Sequence, residues 1–229
     1  MKAAFLMAAA AAALVQPPAV RAQLDHIVVG VGGLDEGIFL FERLTGVSAT
    51  RGGQHPTRGT ENALVSLGNG RYLELIAPRK DAAVSPDLEQ LRSLREPTVI
   101  AWAVRVTDME AARRAVGGAG VTLGADAAGS RITPSGTTLQ WSTADISEPR
   151  IDGAPFFIRW NPSTEHPSTT APEGCSLSAL DIHDPAAADL SRALNALRVS
   201  GVTIRRGDPQ ISVKLKCPRG PVTLTSVRR

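Results

Sequence analysis

A strand, helix, strand, strand, strand pattern recurs three times along this chain, with decreasing clarity. The first strands of the three units are predicted at residues 24–31, 99–106 and 177–182. Internal repetition constrains the fold more than any single residue does, because each unit must bury its apolar face against a neighbour. The pattern predicts an α+β fold built from repeated βαβββ modules.

Each unit places one amphipathic helix after its first strand. In the first unit, apolar residues recur at spacings of three and four between Ile38 and Leu44, and Gly46 suits a left-handed helix cap. In the second unit, Thr107-Asp108 offers an N-cap and a first-turn acid to a helix through Val116. The third helix is predicted from about Pro185, since proline is tolerated in a first helical turn.

The first 22 residues have the composition of a secretory signal peptide. Lys2 is followed by an apolar run over residues 3–15 and by the small-residue site Val20-Arg21-Ala22. That run is too short for a membrane-spanning helix, which needs about 20 residues. We expect a mature chain that begins at Gln23, is periplasmic or secreted, and has no stable membrane span; an uncleaved anchor is the alternative.

The charge balance gives little support to nucleic-acid binding. Of the 25 Lys and Arg residues, Lys2 and Arg21 lie in the predicted signal peptide, which leaves 23 against 22 Asp and Glu. The remaining basic residues are scattered, aromatic residues are few, and no basic stripe alternates with stacking side chains. We expect no nucleic-acid partner.

The remaining chain is long enough for one large domain or two small ones. We expect a domain over residues 23–174, with modules at 24–78 and 97–160, and a third module over 175–229 packed on it. The two cysteines are Cys175 and Cys217. Export would permit a disulfide between them, and two separate buried thiols are the alternative.

Strand alternation brings a histidine and a carboxylate to one face of the first unit. His26 shares its face with Val28, opposite Ile27, and Glu74 shares its face with Tyr72. If the other face packs against the helix, His26 and Glu74 face a shared concavity. Such a pair could bind a metal, transfer protons, or form a buried structural contact.

Five blocks of the sequence, in order, resemble glyoxalase-like domains of the vicinal oxygen chelate superfamily. They occupy residues 24–29, 53–64, 70–78, 155–160 and 166–168. The resemblance implies paired βαβββ modules that form a curled mixed sheet around a central cavity. The third unit of the repeated pattern is then a degenerate module at the C-terminus.

The resemblance also implies metal ligands on the first and last strands of each module. In module one these positions are His26 and Glu74. Module two departs from the pattern, because it offers Ala101 at the first-strand position and no carboxylate in its last strand. His55 and His166 could complete a site for a divalent ion such as Zn, Fe, Mn or Ni. Each histidine could equally be a hydrogen-bonded structural residue.

Glu74 and His55 are the candidates for proton transfer. Arg58 and Arg159 could hold an anionic substrate through bidentate hydrogen bonds, and Tyr72 could line the cavity. For Arg159, an outward, solvated position is the alternative. A further pair of residues, Trp102 and Trp160, is expected to serve packing rather than recognition.

These observations lead to one main functional hypothesis and two alternatives. The main one is an exported glyoxalase-like protein that binds a small oxygenated molecule and carries out metal-assisted lyase or isomerase chemistry. The alternatives are a metal-free binding or sequestering protein and a metal-dependent dioxygenase. The third unit could also form a homodimer contact.

Overall fold

The computed structural model describes residues 21–227, so residues 1–20 of the predicted signal peptide lie outside the described chain. Module one consists of β1 (Ala22–Gly30), α1 (Leu34–Thr45), β2 (Thr50–His55), β3 (Thr60–Gly68) and β4 (Arg71–Pro78). Helix α2 (Pro86–Arg92) leads to module two, which consists of β5 (Thr98–Val106), α3 (Met109–Gly118), β6 (Thr122–Leu123), β7 (Ala127–Ile132), β8 (Thr138–Glu148) and β9 (Phe156–Trp160). A 3-10 turn (Pro167–Thr169) precedes the third unit, which consists of β10 (Ser176–His183), α4 (Ala187–Ala196), β11 (Thr203–Arg205), β12 (Gln210–Cys217) and β13 (Gly220–Thr225).

The strands of modules one and two close into a barrel-like sheet. In each module the first strand pairs in parallel with the last, β1 with β4 and β5 with β9. On one side β1 pairs antiparallel with β5, and on the other β2 meets β7 through Gln54 and Ile132. The pairing of β8 with β9 completes the ring. The predicted α+β fold with a curled mixed sheet is thus confirmed.

The third unit forms a separate four-stranded sheet in the order β11, β10, β12, β13. Its first strand pairs in parallel with β11 and antiparallel with β12. In modules one and two the first strand instead pairs in parallel with the last. The third unit therefore repeats the order of elements but not their pairing, as expected for a degenerate module.

Alternation sorts the core from the inner face of the barrel as predicted. Ile27 and Leu73 are fully buried in the main hydrophobic core. His26 and Glu74 line the cavity on the opposite face. The predicted cap of α1 also forms, because Gly46 ends this helix at a φ of 81°. Of the predicted pair Thr107-Asp108, Asp108 is the N-cap of α3, and its carboxylate accepts a hydrogen bond from the backbone N–H of Ala111.

The block over residues 53–64 contains the end of β2 and the start of β3. Gly53 has a φ of 137°, a conformation that L side chains rarely adopt. A Cβ atom at this position would lie 2.0 Å from the carbonyl oxygen of Ile132. Gly53 therefore permits the close approach of β2 and β7 that joins the two modules.

Replacing Gly53 with Ala is expected to lower the free energy of unfolding by about 3 kcal/mol or more, from backbone strain and the clash with β7. Gly68→Ala is the matched control, because its φ is also positive, at 73°, but its added Cβ would meet nothing within 4 Å. We expect a loss of only about 1–2 kcal/mol there. Urea unfolding of both variants measures the difference. Equal losses of unfolding free energy would contradict a special role for the contact between β2 and β7.

Cys175 and Cys217 form a disulfide that spans 42 positions of the sequence. Both half-cystines are buried in the main hydrophobic core. The bridge ties the segment before β10 to the end of β12, and no free cysteine remains in the described chain.

Replacing both cysteines with Ala is expected to lower the free energy of unfolding by about 2–4 kcal/mol, because the unfolded chain gains the freedom of an open loop. Thermal unfolding with and without a reductant checks this. The parent should lose stability in reductant and the double variant should not. A variant as stable as the oxidised parent would contradict the prediction.

None of the helices within residues 21–227 is long and apolar enough to cross a membrane.

Candidate functional site

The barrel encloses a cavity of about 230 Å³ to which both modules contribute. Module one supplies polar side chains, among them His26, His55 and Glu74. Module two supplies mainly apolar and aromatic walls, including Trp141 and Ile158. A cavity with a few convergent polar groups in a largely apolar wall is typical of a small-molecule site.

Glu74 lies at the centre of the polar wall, on β4. Its Oε2 atom is 3.7 Å from Nε2 of His26, and its Oε1 atom is 3.7 Å from Nε2 of His55. The side-chain amide of Asn62 donates a hydrogen bond of 2.6 Å to Oε1. Burial alone would raise the pKa of Glu74, but the two imidazoles and Asn62 outweigh it and lower the pKa. Glu74 is therefore a buried, ionised carboxylate at neutral pH.

His55 ends β2 and faces the same carboxylate. Burial lowers its pKa, and the positive charges of Arg131 and Arg58 act in the same direction, against the attraction of Glu74. Its Nδ1 atom is 3.0 Å from the hydroxyl of Thr60.

Asp25 holds His26 from behind and is fully buried. Its Oδ2 atom is 2.8 Å from Nδ1 of His26 and accepts a hydrogen bond of 3.2 Å from the indole N–H of Trp160. Its Oδ1 atom is 2.9 Å from Nε2 of His166, and Arg105 lies 3.4 Å away. Burial alone would raise the pKa of Asp25, but hydrogen bonds from His166 and His26 hold it well below its ordinary value.

Because an ionised carboxylate only accepts hydrogen bonds, the Nδ1 atom of His26 must carry the proton in this contact. The other ring nitrogen, Nε2, then faces Glu74 and the cavity. Asp25 thus fixes the orientation of His26, as carboxylates placed behind functional histidines commonly do.

A β-bulge gives Asp25 this position. Leu24 and His26 pair with consecutive residues of β5, which leaves Asp25 without a partner on that strand. Simple alternation would place Asp25 on the core face with Ile27. The extra residue instead turns its carboxylate toward His26, as bulges commonly redirect side chains near functional sites.

Arg131, on β7, is the buried cation of the cavity, with 4% of its surface exposed. One guanidinium N–H donates a hydrogen bond of 3.2 Å to Oδ1 of Asn62. This is its one hydrogen bond to a described residue, and the guanidinium also borders the cavity. Since the group has five N–H donors in a fixed fork, it can also bind a ligand oxygen. Gly52 leaves room for this contact, because a Cβ there would lie within 2.5 Å of both partners.

The donor atoms of module one do not fit the metal site implied by the resemblance. Within residues 21–227, no group of three or more His, Cys, Asp and Glu side chains is placed to hold a metal ion. Oε1 of Glu74 already accepts from Asn62, and the buried cation Arg131 borders the same cavity. In module two, Ala101 and Ile158 line the wall where further ligands would lie.

The structure brings together most of the predicted site residues. His26, His55, Glu74, Tyr72 and Arg58 all line the cavity. The ring of Tyr72 stacks on His26 with centroids 4.5 Å apart, and burial raises its pKa well above the ordinary value. Arg58 is exposed at the edge of the cavity.

Two of the predicted site residues lie elsewhere. His166 does not line the cavity, and both of its ring nitrogens are engaged, Nε2 with Asp25 and Nδ1 with the hydroxyl of Ser168 at 2.7 Å. Arg159 is exposed on β9 and points away from the cavity, because its neighbour Ile158 lines the wall. Trp102 is a core residue as expected, whereas Trp160 does line the cavity.

Sequence reasoning missed three members of the site, Asp25, Asn62 and Arg131. For Asp25, the available signal was a charged residue beside a histidine at the start of an apolar strand, where an unpaired acid is rare. Asn62 follows Thr60 at a spacing of two, a polar stripe on an otherwise buried strand. Nothing local distinguishes Arg131 from the other scattered arginines.

A family model described as a glyoxalase-like domain matches residues 24–198 of this chain. No curated protein matches the chain. A hypothetical protein from Staphylococcus aureus is similar in structure, with a TM-score of 0.59, 16% identity and coverage of 90% of this chain and 85% of that chain. Because the match covers 90% of this chain, the similarity in fold includes residues beyond modules one and two.

Two solved epimerases are also similar to part of this chain. Methylmalonyl-CoA epimerase from Mycobacterium tuberculosis gives a TM-score of 0.43 at 23% identity, covering 61% of this chain and 87% of that chain. A single-substitution variant of the Streptomyces coelicolor methylmalonyl-CoA epimerase, solved in complex with 2-nitronate-propionyl-CoA, gives 0.41 at 19% identity, covering 63% and 97%. Since the matching family model spans well over half of the sequence, the chain belongs to the glyoxalase-like domain family of the vicinal oxygen chelate superfamily.

Proposed function

We propose that this protein is an exported enzyme that binds a small carbonyl compound in the barrel cavity and moves a proton at the carbon next to the carbonyl. The reaction class is that of an isomerase or lyase. Glu74 is the base, and Arg131 stabilises the negative charge that develops on the substrate oxygen.

One observation carries this proposal: Glu74 is a buried, ionised carboxylate that faces the cavity between two imidazoles. An acid is rarely buried in an apolar strand unless its surroundings stabilise its charge. Here the imidazoles and Asn62 supply that stabilisation, and Glu74 still borders the cavity. This combination keeps a base available in a site that excludes most water.

Proton abstraction beside a carbonyl group places negative charge on the carbonyl oxygen. A fixed guanidinium in a water-poor site stabilises such charge without having to reorganise during the reaction. Arg131 is held by Asn62, which also binds Glu74, so the base and the cation share one connecting side chain. His26, with Nε2 facing Glu74, can accept or return the proton on the same side of the cavity.

The disulfide between Cys175 and Cys217 supports export. Structural disulfides persist in oxidising compartments and are rare in the cytosol. Together with the predicted signal peptide, the bridge favours a periplasmic or secreted protein.

The direct test is hydrogen exchange in heavy water. The mature protein is incubated with simple ketones, aldehydes and 2-oxo acids, and proton NMR follows the loss of the signal next to the carbonyl. We expect catalysed exchange for at least one compound class. If no compound exchanges faster than with buffer alone, the proposal fails.

Metal dependence is tested in the same assay. Exchange should be unchanged by a chelator and by added Zn, Fe, Mn or Ni, because the arrangement of donor atoms in the cavity does not fit a metal ion. If exchange requires one of these ions, the chemistry is instead the metal-assisted reaction that the resemblance implies.

Binding without turnover is the second candidate, favoured by the apolar and aromatic half of the cavity. Residues such as Trp141, Phe156 and Ile158 offer packing surface rather than reactive groups. Thermal shift measurements with the same compounds separate the two functions. Compounds that raise the melting temperature but never exchange would assign the cavity to binding or sequestration.

A further inference from the structure

A second cavity, of about 320 Å³, lies at one end of the barrel. We call it the end groove. It is formed by α2 and the residues just after it, by the start of β5, and by the third unit near β12 and the end of β13. Its apolar lining includes Leu91, Leu94, Ile100, Ile211 and Val227.

The end groove continues the inner face of the barrel. Gly30 on β1 pairs with Ile76 on β4, and Ile76 lines the main cavity. A side chain at position 30 would therefore lie on the cavity face of the sheet. A Cβ atom there would lie 2.8 Å from Leu94, 2.9 Å from Leu91 and 3.1 Å from Ile100. These groove residues therefore cover β1 directly beyond His26 and Val28.

Ile100 lines both the end groove and the main cavity. Its side chain is 43% exposed, although its strand, β5, pairs with β1 on one side and with β9 on the other. Val227, across the groove, is 62% exposed. Two exposed aliphatic side chains in one concave surface, beside a polar cavity, provide apolar area for a ligand to cover.

The charges of the groove restrict what can lie in it. Asp87 and Asp152 are its charged lining residues, and no Lys, Arg or His of the described chain lines it. Asp152 is paired with Arg150 at 3.0 Å, which leaves Asp87. A phosphate or a second carboxylate would meet none of the cations of residues 21–227 there, so an uncharged apolar group fits the described lining best.

We infer that the substrate carries an uncharged alkyl or similar apolar extension, which passes Ile100 and lies in the end groove while its carbonyl end occupies the main cavity. This inference rests on the proposed function and specifies its substrate class.

The test is calorimetric titration of unbranched 2-oxo acids from pyruvate to 2-oxodecanoate. Once the chain reaches the groove, each added methylene should tighten binding about fourfold, the equivalent of burying one CH₂ group. Leu94→Gln should reduce this gain without changing pyruvate binding, since Leu94 does not line the main cavity. Val84→Gln is the matched control, because Val84 is 81% exposed and lies outside the groove.

The outcomes separate the two levels of the proposal. If pyruvate binds but longer acids bind no tighter, the groove inference is wrong and the proposed function stands. If no member binds, the carbonyl site itself is wrong, and the groove inference falls with it. If Leu94→Gln converts a dimer to a monomer and leaves the chain-length dependence intact, the groove holds a second copy of the chain, which also overturns the inference.

Discussion

Replacing Glu74 with Gln is expected to slow hydrogen exchange in the responsive carbonyl compound by about 10²–10⁴-fold, the usual contribution of a positioned general base. Glutamine keeps the size of the side chain but cannot take a proton. Proton NMR in heavy water measures the rate, and calorimetry measures binding. Binding should change far less than the rate, because the walls of the cavity remain in place.

Asp145→Asn is the control for a general effect of charge. Asp145 also lines the cavity, but it is exposed and lies on module two. Its replacement removes one negative charge without touching the group between the two imidazoles. We expect less than about a tenfold change in rate, since screened surface charges act weakly. If both variants lose activity equally, or Glu74→Gln keeps the parent rate, Glu74 is not the base.

Replacing Asp25 with Asn is expected to lower the free energy of unfolding at neutral pH by about 3–5 kcal/mol, the usual cost of removing one partner from a buried ionic network. An amide can accept a hydrogen bond through its oxygen only. The NH₂ group of the asparagine would replace one of the two accepting oxygens and would face an N–H donor of His26, His166 or Trp160, so one of these hydrogen bonds would be lost. Urea unfolding of parent and variant measures the loss.

The stability loss should also depend on pH. The pKa of Asp25 is lowered in the folded protein, so its contribution is fully present above the unfolded value of 3.8 and is lost as the pH falls through the folded value. The difference between parent and Asp25→Asn should therefore shrink below about pH 4. A difference that is small at pH 7, or that grows on acidification, would contradict the assignment.

Asp35→Asn provides the matched control for the Asp25 variant. Asp35 forms an ion pair with Arg51, but its side chain is 73% exposed. Exposed pairs contribute about 0–1 kcal/mol, so little change is expected at any pH. The contrast between the two substitutions isolates burial as the cause of the effect at Asp25.

The two modules of this barrel have diverged in what they contribute to the cavity. Module one supplies the carboxylate and both imidazoles, whereas module two supplies Arg131 and a largely apolar wall. A guanidinium can stabilise developing negative charge on oxygen in a water-poor site. The asymmetry is consistent with a fold that retains its cavity while the groups lining it change.

The sequence by itself determined which faces of β1 and β4 in module one line the cavity and which enter the core. Side chains two apart on a strand must share a face, so the alternation within β1 and β4 is enough to place His26 and Glu74 on the inner wall. The same rule placed Ile27 and Leu73 in the core, where they are fully buried. Helix caps depend on local backbone geometry, which is why the Gly46 cap of α1 followed from the local sequence alone.

Only the tertiary structure decided the surroundings of those two residues. Asp25 faces His26 because of a bulge that exists only when β1 pairs with β5, and the partner His166 is 141 positions away. Arg131 reaches Asn62 across 69 positions, once β2 and β7 close the barrel. Local patterns fix which way a side chain points along one strand, but contacts between distant strands depend on sheet closure, which no short stretch of sequence encodes.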